Sequence, residues 1–285
     1  MPSLGLGVFL NPAQQTVDSV SFALQSGYRL IDTAAGYLNE RQVGEGIRRS
    51  DIPRNELFIT TKLWAGDFGY QAALKAFDAS LNRLGLDYLD LYLLHWPVPS
   101  DFAQTIQAWK AAEELLSEGK VRAIGVSNFT VGHLKTLIAE TDIVPAMNQV
   151  ELNPYFSQPA LVDTHKELGI VTQAWSPIGG IYSRNRQALM GRQEHLLEHG
   201  LIKQLAEKYQ KTPAQIILRW HLEHGYAVIP KSVQRNRIIE NSSVFDFSLT
   251  EKDVQSIDKM DTGIRAGADP DTFKPDKSHH DVHHQ

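Results

Sequence analysis

Short apolar segments alternate with amphipathic segments along nearly the whole chain, and this alternation restricts the possible folds more than any other feature of the sequence. Most of the apolar segments are continuously rich in Ile, Val, Leu and aromatic residues, which is typical of strands buried on both faces of a parallel sheet. The candidate strands are Tyr28–Ala34, Leu57–Leu63, Leu89–His95, Val121–Asn128, Ala146–Glu151, Ile170–Pro177, Ala227–Ser232 and Val244–Phe247. The segments with helical periodicity include Gln15–Gln25, Gln71–Arg83, Thr105–Ser117, Val131–Ala139, Ala160–Leu168 and Leu201–Gln210.

Residues that favour helix ends support this interpretation. Glycines follow four of the helical segments, where a C-cap favours a residue that tolerates positive φ; they are Gly27, Gly85, Gly119 and Gly169. Thr212 followed by Pro213 predicts the start of a further helix. Eight candidate strands, each but the last followed by a helix, predict one α/β domain with the (β/α)₈ TIM-barrel fold in this chain of 285 residues. A dinucleotide-binding open sheet is disfavoured, because Gly5-Leu6-Gly7 precedes the first candidate strand and lacks a third glycine.

Composition excludes several classes of function. A net charge of −5 argues against nucleic acid and against an anionic membrane surface as the main partner. The absence of cysteine excludes disulfides, thiol catalysis and thiolate metal sites. No signal peptide and no apolar run of membrane-spanning length is evident. We therefore expect a cytoplasmic protein. We also expect a monomer whose partner is a small molecule.

The active site of such a barrel lies at the carboxyl ends of its strands, so polar residues at those ends are the candidates for chemistry. Asp32 ends the first candidate strand, and Tyr37 follows in the next loop. Lys62 and His95 come at the ends of the next two strands. A buried ammonium group is costly without a counter-ion, and Asp32 on the adjacent strand is the natural partner for Lys62.

These four residues together suggest carbonyl reduction. A phenol with an ordinary pKa of about 10 is a poor proton donor at neutral pH, and a nearby ammonium is expected to lower that pKa. We expect Tyr37 to protonate a developing alkoxide, Lys62 to tune the phenol, Asp32 to anchor Lys62, and a neutral His95 to orient the carbonyl. Side chains cannot supply a hydride, so a nicotinamide cofactor is implied.

Six or more motifs, in matching order, make the chain resemble the aldo-keto reductase family from near its start to about Met260. They are Leu4-Gly5-Leu6-Gly7, Asp32-Thr33-Ala34-Ala35-Gly36-Tyr37, Thr61-Lys62-Leu63-Trp64, Leu93-Leu94-His95-Trp96-Pro97, Gly125-Val126-Ser127-Asn128-Phe129, Asn148-Gln149-Val150-Glu151 and Ile229-Pro230-Lys231-Ser232. Within the family the chain is most similar to the bacterial 2,5-diketo-D-gluconate reductase group, through Lys231-Ser232-Val233-Gln234-Arg235-Asn236-Arg237 and Val244-Phe245-Asp246-Phe247.

The resemblance implies a function and a set of site residues. It makes Asp32, Tyr37, Lys62 and His95 the catalytic tetrad. It implies that the nicotinamide is held by Ser127, Asn128, Gln149 and Trp175, and that the pyrophosphate path is lined by Ser176, Pro177, Ile178 and Gly179. It assigns the adenosine 2′-phosphate and adenine to Lys231, Ser232, Val233, Arg237, Glu240 and Asn241, with Arg235 as a further candidate. It implies substrate-pocket walls made by Phe9, Trp64, His95 and Trp96. Two or three cations with a hydroxyl suit a dianionic phosphate, so we expect NADPH/NADP⁺ as the cofactor, with a small 2-oxo-aldehyde or diketo-sugar acid as the substrate.

Two regions depart from the family pattern. The chain starts at Met1-Pro2-Ser3-Leu4, so we expect the N-terminal hairpin to be shortened or absent. We expect the barrel to span residues 1–262 and residues 263–285 to form a C-terminal tail, as a loop or in part disordered. The long connection over residues 178–200 has the length of a functional lid or a disordered segment. Either this connection or the tail, which contains several histidines, could cover the substrate pocket.

Other interpretations remain open for the same residues. Asp32 and Lys62 could form a purely structural ion pair. His95 could be an ordinary core histidine, and the aromatic residues could belong to the core rather than to a substrate pocket. At the level of function, the alternative is a nucleotide-sensing binding protein on the same barrel with little turnover. A metal-dependent hydrolase is weakly supported, because among the candidate strand ends only His95 offers a histidine.

Overall fold

The continuously apolar segments form the strands of a closed barrel in the computed structural model, which describes residues 1–179 and 195–275. All eight strands run parallel, and each pairs with its neighbour in chain order. The strands are β1 Leu6–Gly7, β2 Leu30–Asp32, β3 Phe58–Leu63, β4 Leu91–Leu94, β5 Ile124–Ser127, β6 Met147–Glu151, β7 Val171–Trp175 and β8 Ala227–Val228. The barrel closes between β1 and β8, where Gly5 N donates to Val228 O at 2.9 Å and Val228 N donates to Ser3 O at 2.8 Å.

Helices follow the strands and pack their apolar faces on the outside of the barrel. The described helices are α1 Ala13–Gln25, α2 Glu40–Ser50, α3 Tyr70–Leu84, α4 Phe102–Ser117, α5 Val131–Glu140, α6 Pro159–Leu168, α7 Gly200–Tyr209, α8 Pro213–Glu223, α9 Arg235–Ser242 and α10 Glu251–Asp258. None of them is long and apolar enough to cross a membrane. The predicted (β/α)₈ fold is confirmed.

The predicted helix ends are confirmed as well. The four predicted capping glycines all have positive φ, between 66° and 103°. At the start of α8, Thr212 Oγ1 accepts from Gln215 N, and the Gln215 side chain accepts from Thr212 N. This reciprocal capping satisfies donors that a helix N-terminus otherwise leaves unpaired.

One predicted strand is wrong, and one real strand was not predicted. Val244–Phe247 is irregular; its apolar character reflects a fully buried Val244, whereas Phe245 is exposed. The eighth strand is instead β1, which is too short to stand out as an apolar run. Its glycine allows close packing, because a Cβ at Gly7 would lie 2.8 Å from the carbonyl oxygen of Ile229.

The barrel interior is divided between an apolar layer and a polar layer. Leu91, Leu93 and Met147 form a small separate apolar cluster inside the barrel. Nearer the carboxyl ends of the strands, β2, β3, β6 and β7 contribute side chains that hydrogen-bond to one another across the interior. Placing these polar groups together is costly unless each finds a partner, so this layer is where the site is expected.

Candidate active site

The Lys62 ammonium group lies at the centre of the polar layer and is fully buried. It donates to Asp32 Oδ1 at 2.5 Å, to the Thr33 carbonyl oxygen at 2.9 Å and to Tyr37 Oη at 3.2 Å. These three contacts use all three donors of the ammonium. Burial acts to lower the pKa of Lys62, but the Asp32 charge and the Tyr37 oxygen outweigh it, so the pKa of Lys62 is raised. Lys62 is therefore a cation at neutral pH. Burial in turn raises the pKa of Asp32, and its contacts with Lys62 and Gln149 offset this only in part.

Tyr37 lies in a short 3₁₀ turn, Ala35–Tyr37, directly after β2. Burial raises the pKa of the phenol above its ordinary value; the Lys62 charge lowers it, and the Asp32 charge raises it again. The expectation that Lys62 brings the pKa of Tyr37 below its ordinary value is therefore wrong in its net direction, because desolvation outweighs the attraction of an ammonium already neutralised by Asp32. The phenol holds its proton at neutral pH.

His95 follows β4 and is buried. Burial and the Lys62 charge hold the pKa of His95 well below its usual range, so the imidazole is neutral. Its ring lies edge-on to Tyr37, with 5.4 Å between the ring centroids, and edge-on to Trp64 at 5.5 Å. No described residue bonds the buried Nδ1 atom. A neutral imidazole keeps one N–H donor, as orienting a carbonyl oxygen requires.

The residues predicted to hold a nicotinamide are joined to the same network. Gln149 Nε2 donates to Asp32 Oδ2 at 2.6 Å, and Ser127 Oγ donates to the Gln149 carbonyl oxygen at 2.8 Å. Asn128 Nδ2 donates to the His95 carbonyl oxygen at 3.0 Å, and Trp175 Nε1 donates to Asn128 Oδ1 at 2.8 Å. The backbone of Asn128 is left-handed, with φ of 64°, which turns the chain sharply after β5. The structure therefore brings these predicted residues to one end of the barrel.

Past β7, the predicted pyrophosphate residues form a tight turn. Ser176 and Gly179 have positive φ, of 49° and 75°. The carbonyl oxygen of Pro177 contacts His221 Nε2 at 3.0 Å, which fixes the turn to α8. Ile178 packs partly buried against the apolar core. All four predicted residues follow Trp175 directly, at the carboxyl end of the strand.

Past β8, exposed cations surround the start of α9. Lys231 and Arg237 are exposed, and neither pairs with a carboxylate of a described residue, although the chain has more acidic than basic residues. Ser232 Oγ accepts from Gln234 N at 3.1 Å, and α9 lacks a side-chain cap at its N-terminus. Uncapped backbone N–H groups at a helix start favour an anion. Arg235 instead lies over the Phe22 ring, 5.0 Å from its centroid.

The remaining predicted cofactor residues lie on or near the same helix. Glu240 accepts a hydrogen bond from Thr212 Oγ1 at 2.7 Å, so its carboxylate also ties α9 to α8. Asn241 is buried, and Val233 is half-buried in the turn before the helix. These positions are near the cation cluster, but the structure gives none of them a separate chemical role.

Aromatic rings form one side of the site, here called the aromatic wall: Phe9, Trp64, Trp96 and Phe273. Phe9 lies 4.9 Å from the Tyr37 ring, centroid to centroid. Phe273 stacks on Trp96 at 4.6 Å with 11° between the planes, and lies edge-on to Trp64 at 6.1 Å. Three of the four predicted wall residues lie in the aromatic wall, and the fourth, His95, lies edge-on to Trp64. Phe273 joins them from the C-terminal segment, residues 263–275.

The C-terminal segment is irregular but fastened to the barrel. Glu151, buried at the end of β6, accepts from Ala266 N at 3.0 Å and from Gly267 N at 2.8 Å. Further along, Thr130 Oγ1 donates to Asp271 at 3.2 Å. Sequence reasoning missed Phe273 and Glu151 as site residues. A lone phenylalanine in a polar tail and a carboxylate at the end of a buried strand were the available signals.

Some predicted features fall outside the described residues. They are residues 180–194 of the long connection and the histidines of residues 276–285. Within the described part of the chain, no group of three or more His, Cys, Asp or Glu side chains is arranged to hold a metal ion. The domain boundary predicted at residue 262 stays a prediction.

The fold and the polar layer define the class: a (β/α)₈-barrel oxidoreductase with its reactive groups at the carboxyl ends of the strands. Residues 4–262 match the model of the Aldo/keto reductase family, and the chain belongs to that family. It is 53% identical over 270 residues to morphine 6-dehydrogenase of Pseudomonas putida, which covers 95% of this chain and 91% of that protein. It is 47% identical over 272 residues to glyoxal reductase of Bacillus subtilis, covering 95% and 93%. Among solved structures, a mutant of Gox0644 in complex with NADPH superposes with a TM-score of 0.87 at 43% identity, covering 96% of this chain and 95% of that chain.

Proposed function

We propose that this protein is an NADPH-dependent reductase of small aldehydes and ketones, with Tyr37 as the proton donor. The observation that carries the proposal is the direct contact of the Lys62 ammonium group with both the Tyr37 phenol and the Asp32 carboxylate. A structural ion pair would not need a half-buried phenol as its third partner. Here that phenol faces a neutral histidine.

The site residues fit the proposed cofactor at both of its ends. No described residue donates to Gln149 Oε1, which leaves an amide acceptor for the carboxamide beside the Ser127 and Asn128 side chains. At the other end, Lys231 and Arg237 with the uncapped start of α9 suit a 2′-phosphate better than a ribose diol. A relative that is 43% identical binds NADPH in a solved structure. When bound, the cofactor supplies the hydride that reduces the carbonyl carbon.

The chain's own groups handle the oxygen of the substrate. His95 is neutral and presents a hydrogen-bond donor that orients the carbonyl without protonating it. Tyr37 holds its proton until negative charge develops on that oxygen, and then transfers it. The Lys62 ammonium stabilises the phenolate that remains, and Asp32 keeps Lys62 in place and charged. Positioned acid catalysis of this kind contributes roughly 10²–10⁴-fold to a rate.

The substrate class proposed is a small 2-oxo-aldehyde or a related dicarbonyl. A relative named glyoxal reductase, 47% identical over nearly its whole length, supports it. The closer grouping with 2,5-diketo-D-gluconate reductases stays a prediction from the two sequence motifs given above. We also propose that the protein is cytoplasmic and acts as a monomer.

The test is NADPH oxidation against a panel of dicarbonyls, simple aldehydes, ketones and keto-sugars, run with NADH in parallel. In Tyr37→Phe we expect turnover to fall about 10²–10⁴-fold while the Kd of NADPH changes little, since the phenol does not contact the proposed cofactor residues. Turnover retained in this variant would remove Tyr37 from the role of donor. Tight NADPH binding without turnover of any carbonyl by the natural protein would favour the nucleotide-sensing alternative.

A further inference from the structure

Three side chains from β2, β6 and β7 form a hydrogen-bonded row across the top of the barrel. Gln149 Nε2 contacts Asp32 Oδ2 at 2.6 Å and Gln173 Oε1 at 2.8 Å. All three residues are at most 1% exposed. Gln173 belongs to none of the motifs that identify the site, and it lies two residues before Trp175 on β7.

The direction of every hydrogen bond in this row follows from the Asp32 charge. The Lys62 ammonium is fully buried and needs an anionic partner, and the Asp32 carboxyl group is paired with it, so Asp32 is ionised and can only accept hydrogen bonds. The Gln149 atom beside Oδ2 must then be the amide nitrogen. Its second N–H points at Gln173, so the Gln173 atom that meets it must be the carbonyl oxygen.

Two consequences follow for the ends of the row. With both Gln149 N–H groups occupied, Oε1 remains an acceptor to which no described residue donates. Gln173 Nε2, at the other end, has no acceptor among the described residues. A purely structural glutamine would gain more stability by satisfying both ends of its amide than by satisfying one, because a buried unsatisfied donor is costly.

We propose that Gln173 is a positioning residue that fixes the Gln149 amide so that Oε1 faces the carboxamide of the nicotinamide cofactor. This inference rests on the proposed function. Asp32 alone leaves the Gln149 amide free to rotate about a single contact, whereas the second contact from Gln173 defines its plane. The Asp32 charge thus aligns the proton-donor group, through Lys62, and the cofactor-holding amide, through Gln149.

The substitution that tests this is Gln173→Met, which keeps the side-chain length and removes the acceptor. Binding of NADP⁺ is compared with binding of its 3-acetylpyridine analogue, in which a methyl group replaces the carboxamide NH₂ that Gln149 Oε1 would accept from. In the natural protein we expect the analogue to bind more weakly. In Gln173→Met we expect the Kd of NADP⁺ to rise about two- to tenfold, the worth of one hydrogen bond, while the Kd of the analogue stays within about twofold.

The ratio of the two Kd values separates positioning from general damage to the fold. A change that merely loosens the barrel would raise both constants by the same factor and leave the ratio unchanged, and that result would overturn the proposal. Gln173→Glu, measured at pH 6, should restore the natural ratio, because a buried carboxyl beside Asp32 stays neutral and keeps a carbonyl acceptor. If the ratio of the two Kd values in Gln173→Glu equals the ratio in Gln173→Met, the proposal is also overturned.

Thr172→Val is the matched control. Thr172 is the neighbouring residue on β7, buried on the opposite face, where its Oγ1 contacts His165 Nδ1 at 2.8 Å. This variant also loses one buried hydrogen bond, and we expect its Kd ratio to equal that of the natural protein. If NADP⁺ fails to bind the natural protein at all, the proposed function fails; if NADP⁺ binds and the ratio does not respond to Gln173→Met, only the role of Gln173 fails.

Discussion

Removing the Lys62 ammonium by Lys62→Met should destabilise the protein strongly, and the reason lies in what is left behind. Asp32 is 1% exposed, and among the described residues Gln149 Nε2 would be the one side-chain donor left to it. Breaking a buried ion pair by removing one partner costs about 3–5 kcal/mol, because the other charge stays buried and uncompensated. We expect the free energy of unfolding of Lys62→Met at pH 7.5 to fall by an amount in that range.

The loss of stability in Lys62→Met should also depend on pH. The pKa of Asp32 is already raised by burial, and without Lys62 it should rise further. When a carboxyl group binds its proton more tightly in the folded state than in the unfolded state, the free energy of unfolding of the protein falls as pH rises. The loss in free energy of unfolding caused by Lys62→Met should therefore be smaller at pH 5 than at pH 7.5. The double variant Asp32→Asn with Lys62→Met buries no charge there and should be more stable than Lys62→Met alone.

The assay is urea unfolding followed by tryptophan fluorescence at both pH values, with Lys208→Met as the matched control. Lys208 makes an ion pair of similar length, 2.6 Å to Asp253, but its side chain is 51% exposed. Exposed pairs are worth about 0–1 kcal/mol, so the control should change little. The reasoning is refuted if Lys62→Met loses no more stability than Lys208→Met, or if the double variant is as unstable as the sum of its two single variants.

Two other predictions concern catalysis. The pKa of Tyr37 is raised, and the pKa of His95 is held well below its usual range. We therefore expect kcat/KM for carbonyl reduction at saturating NADPH to be flat from about pH 7 to 9 and to fall only above the ordinary phenol value of about 10. A fall centred near pH 8 would contradict the raised pKa of Tyr37. Phe273→Ala should lower kcat/KM for an aromatic aldehyde about three- to tenfold, the worth of one ring contact, because Phe273 stacks on Trp96 in the aromatic wall. A small aliphatic dicarbonyl, measured on the same preparation, should change less than about twofold, and equal losses for both substrates would contradict a role of Phe273 in the pocket.

Much of the fold could be predicted from local patterns in the sequence. Seven of the eight candidate strands overlap strands of the barrel, because a strand buried on both faces leaves a continuous apolar run. Helix ends were predictable at Gly85 and Thr212, since capping depends only on neighbouring residues. β1 was not predicted because a strand of two residues, one of them glycine, carries no periodic signal.

The candidate site could be predicted only in part. Asp32, Tyr37, Lys62 and His95 were found because the carboxyl ends of successive parallel strands must meet at one end of a barrel. Gln173, Glu151 and Phe273 were not found. Each acts through a partner far away along the chain, as Glu151 does through the backbone of Gly267, 116 residues later.

The sequence by itself determined the barrel, the end of the barrel where the candidate site lies and the four residues that meet there, because periodicity and strand order are local properties of a chain. Only the tertiary structure decided how those residues are tuned. Asp32 and Gln149, which are 117 residues apart, hydrogen-bond in the interior, and burial rather than the Lys62 charge sets the direction of the Tyr37 pKa. Desolvation depends on everything that packs around a group, and no local pattern of residues records it.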